Sequence, residues 1–423
     1  MKYMNLYRGY EKRKESIDKK IASIIERSQF IFGEELEELE SELAKYTGAK
    51  YSVGVSSGHV GLVLSLLALG FKAGENHSNK EVIVPAMTFF STAEAPSFLG
   101  MKVVVCDIDE YFNIDVNKLE SLINKNTAAI IPVNLFGQCS NYDIILDIAK
   151  KNNIFVIEDA CQSFGASYKN IKSCSGKLGD IAVTSFFPAK PLGCFGDGGM
   201  VFTNNEEYYK NLKQLRHHGD EGGMIHVKLG TTGRLDNLQA GILLEKFKCF
   251  EEDMNHRREA AKYYNEKLKD IVKVPEVAEY TKSVHAQYVI QVKGNRDEIR
   301  KKLSELEIPT ALYYPHPIHL APVLIEKLGY KEGDMPKSEY ASKHNIAIPI
   351  DNDILKEEQD LVIDALKKLP QREYEVLELY YYEWLTLKEI SNIFRISEIR
   401  TYKIYRKAMQ DLKDIFIKKE IFK

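Results

Sequence analysis

Residues 185–200, SFFPAKPLGCFGDGGM, set a single lysine, Lys190, between bulky apolar residues and a cluster of glycines. A lysine in a partly dry pocket loses its charge readily and becomes a nucleophile, able to form a Schiff base with an aldehyde and then to carry protons. Upstream, Asp159 ends the apolar run IFVIEDA, where a buried carboxylate requires a cationic partner. That carboxylate either faces a protonated ring nitrogen or simply caps a following helix. Gln162, about one helical turn further on, would reach the same ligand from the same side. The stretch SSGHVGLV turns from a strand into a helix at Ser57, Gly58 and His59. A helix start offers unpaired N–H groups and a positive dipole end that suit a phosphate, and it is equally an ordinary cap. Ser185 supplies a hydroxyl that could donate to the same phosphate.

A phosphate turn, an aspartate, a serine and a lysine in this order meet the needs of pyridoxal 5'-phosphate, whose phosphate, basic pyridine nitrogen and aldehyde each require a partner. Asp159 would keep the pyridine protonated and Lys190 would hold the aldehyde. Phe89, in PAMTFFST, is placed either to stack on the ring or to serve as core. The glycines of GCFGDGG are expected to turn the backbone sharply beside the ring. They do not form GxGxxG at a strand-to-helix turn, which argues against a dinucleotide site.

Between residues 50 and 205, short apolar runs alternate with amphipathic patterns: YSVGVS, EVIVPA, KVVVCDI, AAIIPVNLF, IFVIEDA and IAVTSFF are separated by helical segments. Strands apolar on both faces imply a mostly parallel sheet covered by helices, with ligands beyond the carboxyl ends of the strands. Later segments read as one long charged helix, LEKFKCFEEDMNHRREAAKYYNEKLKD, then a strand QYVIQVKG, a helix RDEIRKKLSELE, a proline-broken loop ALYYPHPIHLAPVL and a helix LKEEQDLVIDALKKL. The 423 residues are 44% hydrophobic and 28% charged, with a net charge of −3, which argues against a chain-wide attraction to nucleic acid or anionic membrane. Six scattered cysteines without CxxC or zinc spacing read as reduced thiols, and no metal site is expected. The charged N-terminal stretch is no signal peptide, and no apolar run approaches the roughly 18 residues of a membrane span, so a cytoplasmic protein without membrane contact is expected.

Residues 1 to about 368 resemble the sugar aminotransferases of the DegT/DnrJ/EryC1/StrS type, through blocks including FIFGEELEELESELAKYTGAKYSVGVSSG, EVIVPAMTFFSTAEA, VIEDACQSFGA, SFFPAKPLGCFGDGGM, GRLDNLQAGIL, YYPHPIHLAPV and MPKSEYASKHNIAIPI. The resemblance implies an α/β protein of the type I pyridoxal-phosphate transferase fold, with a large cofactor domain at 1–245 and a small domain at 246–368. It implies that Lys190 is the catalytic lysine, that Asp159 pairs with the pyridinium and that Gln162 contacts the ring hydroxyl. Ser185 and the turn at Ser57, Gly58 and His59 would hold the phosphate, and Phe89 would stack. Where the family usually has threonine and asparagine, this chain has His59 and Thr232. The asparagine reaches the phosphate in the neighbouring subunit, so a homodimer with shared sites is implied. The implied reaction passes an amino group from L-glutamate to a nucleotide-linked keto sugar, for surface polysaccharide or glycan precursors. Members that aminate a 3-keto sugar, UDP-linked N-acetyl 3-oxo-uronates among them, look most similar. Arg234, Tyr314 and His316 are candidate sugar-nucleotide contacts, each with an ordinary surface or core alternative.

Residues 369–423 change character and resemble region 4 of housekeeping-class bacterial sigma factors, an all-α helix-turn-helix. LPQREYEVLEL would be the supporting helix, TLKEISNIF the first helix of the motif, and Ser397 the cap of a recognition helix carrying Arg400, Lys403, Arg406 and Lys407. Such cations suit phosphate contacts, and equally any solvated helix face. Trp384 and Arg395 stand where the pattern usually has glycine. DNA is therefore a candidate partner, and the alternative function is a transcription regulator that uses the cofactor domain as a ligand sensor.

Overall fold

The computed structural model describes residues 1–368, 376–377, 379–381 and 383–418. Its centre is a seven-stranded sheet formed by β1 (Tyr51–Val55), β2 (Glu81–Pro85), β3 (Lys102–Cys106), β4 (Thr127–Ile130), β5 (Phe155–Asp159), β8 (Ile181–Ser185) and β9 (Gly199–Thr203). The strand order is β1-β9-β8-β5-β4-β2-β3, and β9 alone runs against its neighbours. Alternate residues feed two cores, as the pleat requires. Val183 and Val201 join Leu62, Leu64 and Leu66 on one face. Ala182, Met200 and Phe202 join Leu39, Leu43 and Leu243 on the other. Two short strands, β6 (Ser167–Tyr168) and β7 (Ile171–Lys172), pair with β10 (Thr281–Lys282) in a small separate sheet.

The long charged helix expected from residue 244 onward is two helices, Asn237–Phe247 and Phe250–Leu268. Cys249 leaves the helical region at φ −110°, and the break turns Phe250 against Phe247 and Phe164 in the large core. The second helix then carries Ala261, Tyr264 and Leu268 into a further core, built around β11 (Tyr288–Gln291) and β12 (Asn345–Ile348). The proline-broken loop holds a short helix, Pro322–Leu328, with proline at its first turn, where a missing N–H is tolerated.

In the C-terminal segment, Thr386 and Glu389 form a reciprocal cap on helix Leu387–Phe394. Ser397 Oγ accepts the Arg400 N–H (3.3 Å) at the start of helix Glu398–Lys418. Trp384 and Arg395, at the two positions where glycine is usual, both have positive φ, 55° and 50°. The expected supporting helix LPQREYEVLEL lies largely outside the described residues. Among the described residues, no helix is long and apolar enough to cross a membrane.

Candidate active site

The carboxyl ends of β1, β2, β5 and β8 open into a cavity of about 530 Å³. Nine of the residues singled out by sequence line it: Ser57, Gly58, His59, Phe89, Asp159, Gln162, Ser185, Lys190 and Tyr314. Lys190 is partly buried, and burial pulls its ammonium below the ordinary lysine range, against the opposing fields of Cys161 and Asp159. Asp159, the last residue of β5, is buried; its Oδ1 accepts the Cys161 N–H (3.2 Å) and its Oδ2 accepts the Thr92 hydroxyl (2.8 Å). No helix follows it, because residues 161–165 form turns, so the expected helix-cap alternative falls away. Gln162 therefore reaches the cavity from a turn. Its Oε1 accepts the Phe136 N–H (2.9 Å) and its Nε2 donates to the Tyr314 hydroxyl (3.0 Å).

The turn after β1 is a helix start in fact: Ser57 Oγ accepts the Val60 N–H (3.1 Å) ahead of helix Gly58–Ala68. A Cβ on Gly58 would stand 2.8 Å from Cys161 Sγ and 3.0 Å from Ser185 Cβ, so only glycine lets this helix start approach β5 and β8 so closely. His59 Nδ1 lies 3.4 Å from Glu94 Oε2. Ser185 Oγ accepts the Phe187 N–H (3.2 Å). Phe89 is 58% exposed, with its ring 6.1 Å from that of Tyr314, so it walls the cavity rather than filling a core. Within GCFGDGG the chain bends at Phe195 and Gly196. None of its glycines has positive φ, and a Cβ on Gly193 would stand 2.4 Å from the Pro188 carbonyl oxygen, so close packing also calls for glycine there.

Of the residues expected at the cofactor or the sugar nucleotide, three stand outside this cavity. Thr232 is exposed, with its hydroxyl 2.8 Å from His218 Nε2. Arg234 reaches His217 Nδ1 (3.1 Å) and lies over the Phe32 ring. His316 is exposed on the proline-broken loop. Sequence reasoning missed Thr88 and Thr92, whose hydroxyls (2.9 Å apart) continue the bond to Asp159, and also Cys161, Gln287 and Tyr313. The threonines follow β2 beside Phe89, and that proximity was the only signal they gave. The six cysteines are free thiols.

A buried carboxylate, an amine of depressed basicity, a helix start and an aromatic wall fit the nitrogen, aldehyde, phosphate and ring of pyridoxal 5'-phosphate. The DegT/DnrJ/EryC1/StrS aminotransferase family matches residues 11–367, and sigma-70, region 4, matches residues 365–414. A UDP-2-acetamido-2-deoxy-3-oxo-D-glucuronate aminotransferase of Pseudomonas aeruginosa is 39% identical over 83% of this chain and 95% of its own length. The crystal structure of Streptomyces venezuelae DesV superposes with a TM-score of 0.83 at 31% identity, covering 87% of this chain and 97% of that one. NtdA from Bacillus subtilis, solved with its bound cofactor PMP, gives a TM-score of 0.76 at 31% identity over 84% of this chain and 81% of that one. The chain belongs to the DegT/DnrJ/EryC1/StrS aminotransferase family. It is a pyridoxal-phosphate-dependent enzyme that transfers amino groups.

Proposed function

We propose that this enzyme moves the amino group of L-glutamate onto the keto carbon of a UDP-linked N-acetyl 3-keto sugar, of the kind that yields surface glycan precursors. The convergence of Lys190 and Asp159 in one cavity carries the reading. When bound, pyridoxal 5'-phosphate supplies an electron sink for the carbon next to the transferred nitrogen. Asp159, held by Thr92 and the Cys161 N–H, keeps a proton on the ring nitrogen. Lys190, its ammonium weakened by burial, takes a proton from the donor carbon and returns one at its Nζ, as general base and then acid. Ser57, Gly58, His59 and Ser185 would hold the phosphate, Phe89 would stack on the ring and Gln162 would contact its hydroxyl. Tyr314, Arg234 and His316 contact the sugar nucleotide.

A homodimer completes the site. Met224, Ile225 and Leu229 are 84%, 62% and 68% exposed on the segment leading to Thr232, which is apolar surface suited to a second copy. Thr232 would then reach the partner's phosphate. The test is the visible spectrum of the purified protein loaded with pyridoxal 5'-phosphate. L-Glutamate should bleach the yellow band, the UDP-linked 3-keto sugar should restore it with release of an amino sugar seen by mass spectrometry, and Lys190→Ala should do neither. A band indifferent to L-glutamate would refute the reading.

The region 4 match favours a second, additional activity, DNA binding by the tail. Arg400, Lys403, Arg406 and Lys407 are all exposed, and Arg400, Lys403 and Lys407 share one stripe of helix Glu398–Lys418. Full-length protein should shift duplex DNA with an affinity that falls steeply with salt. Lys403→Ala should lower that salt slope by about one.

A further inference from the structure

Part of the cavity wall comes from the C-terminal half of the chain, where Gln287, Leu312, Tyr313 and Tyr314 line it. The Tyr314 hydroxyl already accepts from Gln162 Nε2. Gln287 Oε1, by contrast, is buried and has no hydrogen-bond partner. Its backbone is firmly placed: Ala286 and Tyr288 on either side are buried, and β11 pairs with β12 from Tyr288 onward. A buried amide oxygen left unpaired is unfavourable, so a fold keeps one at a cavity wall where an incoming molecule can donate to it.

The two substrates of the proposed reaction differ in what they can donate. L-Glutamate carries two carboxylates, which only accept, and one amine, which must sit at Lys190 for transfer. A nucleotide-linked N-acetyl sugar carries ring hydroxyls and an acetamido N–H away from its reacting carbon. Resting on the amino-transfer reading above, we infer that Gln287 Oε1 accepts a hydrogen bond from a hydroxyl or acetamido N–H of the sugar. Gln287 is thus a specificity residue for the sugar half of the reaction, and the amino-donor half does not use it.

The test uses the full-length holoenzyme and Gln287→Met, which keeps the side chain's length and loses the acceptor. The two half-reactions are followed separately by absorbance, with L-glutamate and with UDP-linked 2-acetamido-3-oxo-glucuronate. KM for the sugar should rise about fivefold to fifteenfold, the loss of one neutral hydrogen bond, with kcat within about twofold. The L-glutamate half-reaction should keep both its rate and its KM. An unchanged sugar KM, or equal impairment of both halves, overturns the inference. A wild-type enzyme that accepts the amino group from L-glutamate yet passes it to no UDP-linked 3-keto sugar refutes the sugar reading and this inference with it. A wild type that completes both halves while the variant matches it refutes this inference alone.

Discussion

Gly58→Ala puts the construction of the proposed phosphate cradle to a quantitative test. The new methyl would stand 2.8 Å from Cys161 Sγ, 3.0 Å from Ser185 Cβ and 3.6 Å from Ser185 Cα. Neither Gly58 nor its neighbour Ser57 has positive φ, so alanine meets no backbone penalty here and gains up to ~1 kcal/mol of helix propensity. Any loss must therefore come from contact. Cys161 can rotate its thiol away, whereas Ser185 Cβ is fixed to β8, so the helix start must retreat from the Ser185 and Lys190 segment. Overpacking of this kind costs roughly 1–3 kcal/mol. Because the retreat opens the gap proposed to hold the phosphate, most of that cost should appear as weakened cofactor affinity, about 5- to 150-fold. Titration of the apo-protein with pyridoxal 5'-phosphate, read at the yellow band, measures it directly. Adding Cys161→Ala removes the shortest contact and should recover part of the loss, leaving the share due to Ser185. A Gly58→Ala protein that binds the cofactor within threefold of wild type, or a double variant that binds worse than the single, would refute the close-approach argument.

Three further outcomes are expected. Lys190→Met should abolish amino transfer by on the order of 10²–10⁴-fold or more. It should also stabilise the apo-protein at neutral pH: burial lowers the lysine's folded value below 10.5, so the native state is penalised at pH 7 and the penalty disappears as pH rises past 10.5. Melting curves of both apo-proteins from pH 7 to 10.5 should therefore converge as the pH climbs. Thr92→Val, nearly isosteric, removes the hydroxyl that donates to Asp159 Oδ2 and leaves Thr88 without its partner. It should cost about 1.5–3 kcal/mol in apo-protein stability by denaturant titration, with a further drop in turnover; unchanged values would show that the threonine pair does not hold the carboxylate. Arg395→Gly relieves a left-handed residue and should strengthen the tail by up to ~1 kcal/mol, seen as slower amide exchange across residues 387–418.

The parts of this protein that sequence made legible are those in which a residue's type and its place relative to a strand end decide its position together. Asp159, Ser185 and Lys190 could be placed because apolar runs end at them, and the sheet brings the ends of β5 and β8 side by side through parallel pairing. Thr88 and Thr92 were not legible, since a hydroxyl bound to a buried carboxylate 67 positions away looks in sequence like any threonine at a helix start. Gln287 was hidden for the opposite reason. Its significance is a missing partner, and only coordinates can show that a buried oxygen has none. The glycine run was legible as a bend, which the chain makes at Phe195 and Gly196, whereas the close approach of Gly193 to the Pro188 carbonyl was not, because sequence does not show which backbone passes nearby. The long charged helix was split for a reason that charge pattern does not carry: Phe247 and Phe250, on either side of Cys249, both pack into the core that holds Phe164, and the chain leaves the helical region between them. Arg395 and Trp384 make the complementary case. A glycine-preferring position was read from pattern alone, and the backbone adopts left-handed φ there even though the side chain disfavours it. The turn geometry of the tail is thus dictated by the packing of helices Leu387–Phe394 and Glu398–Lys418 around Ile390, Thr401 and Ala408, and the local residue yields to it.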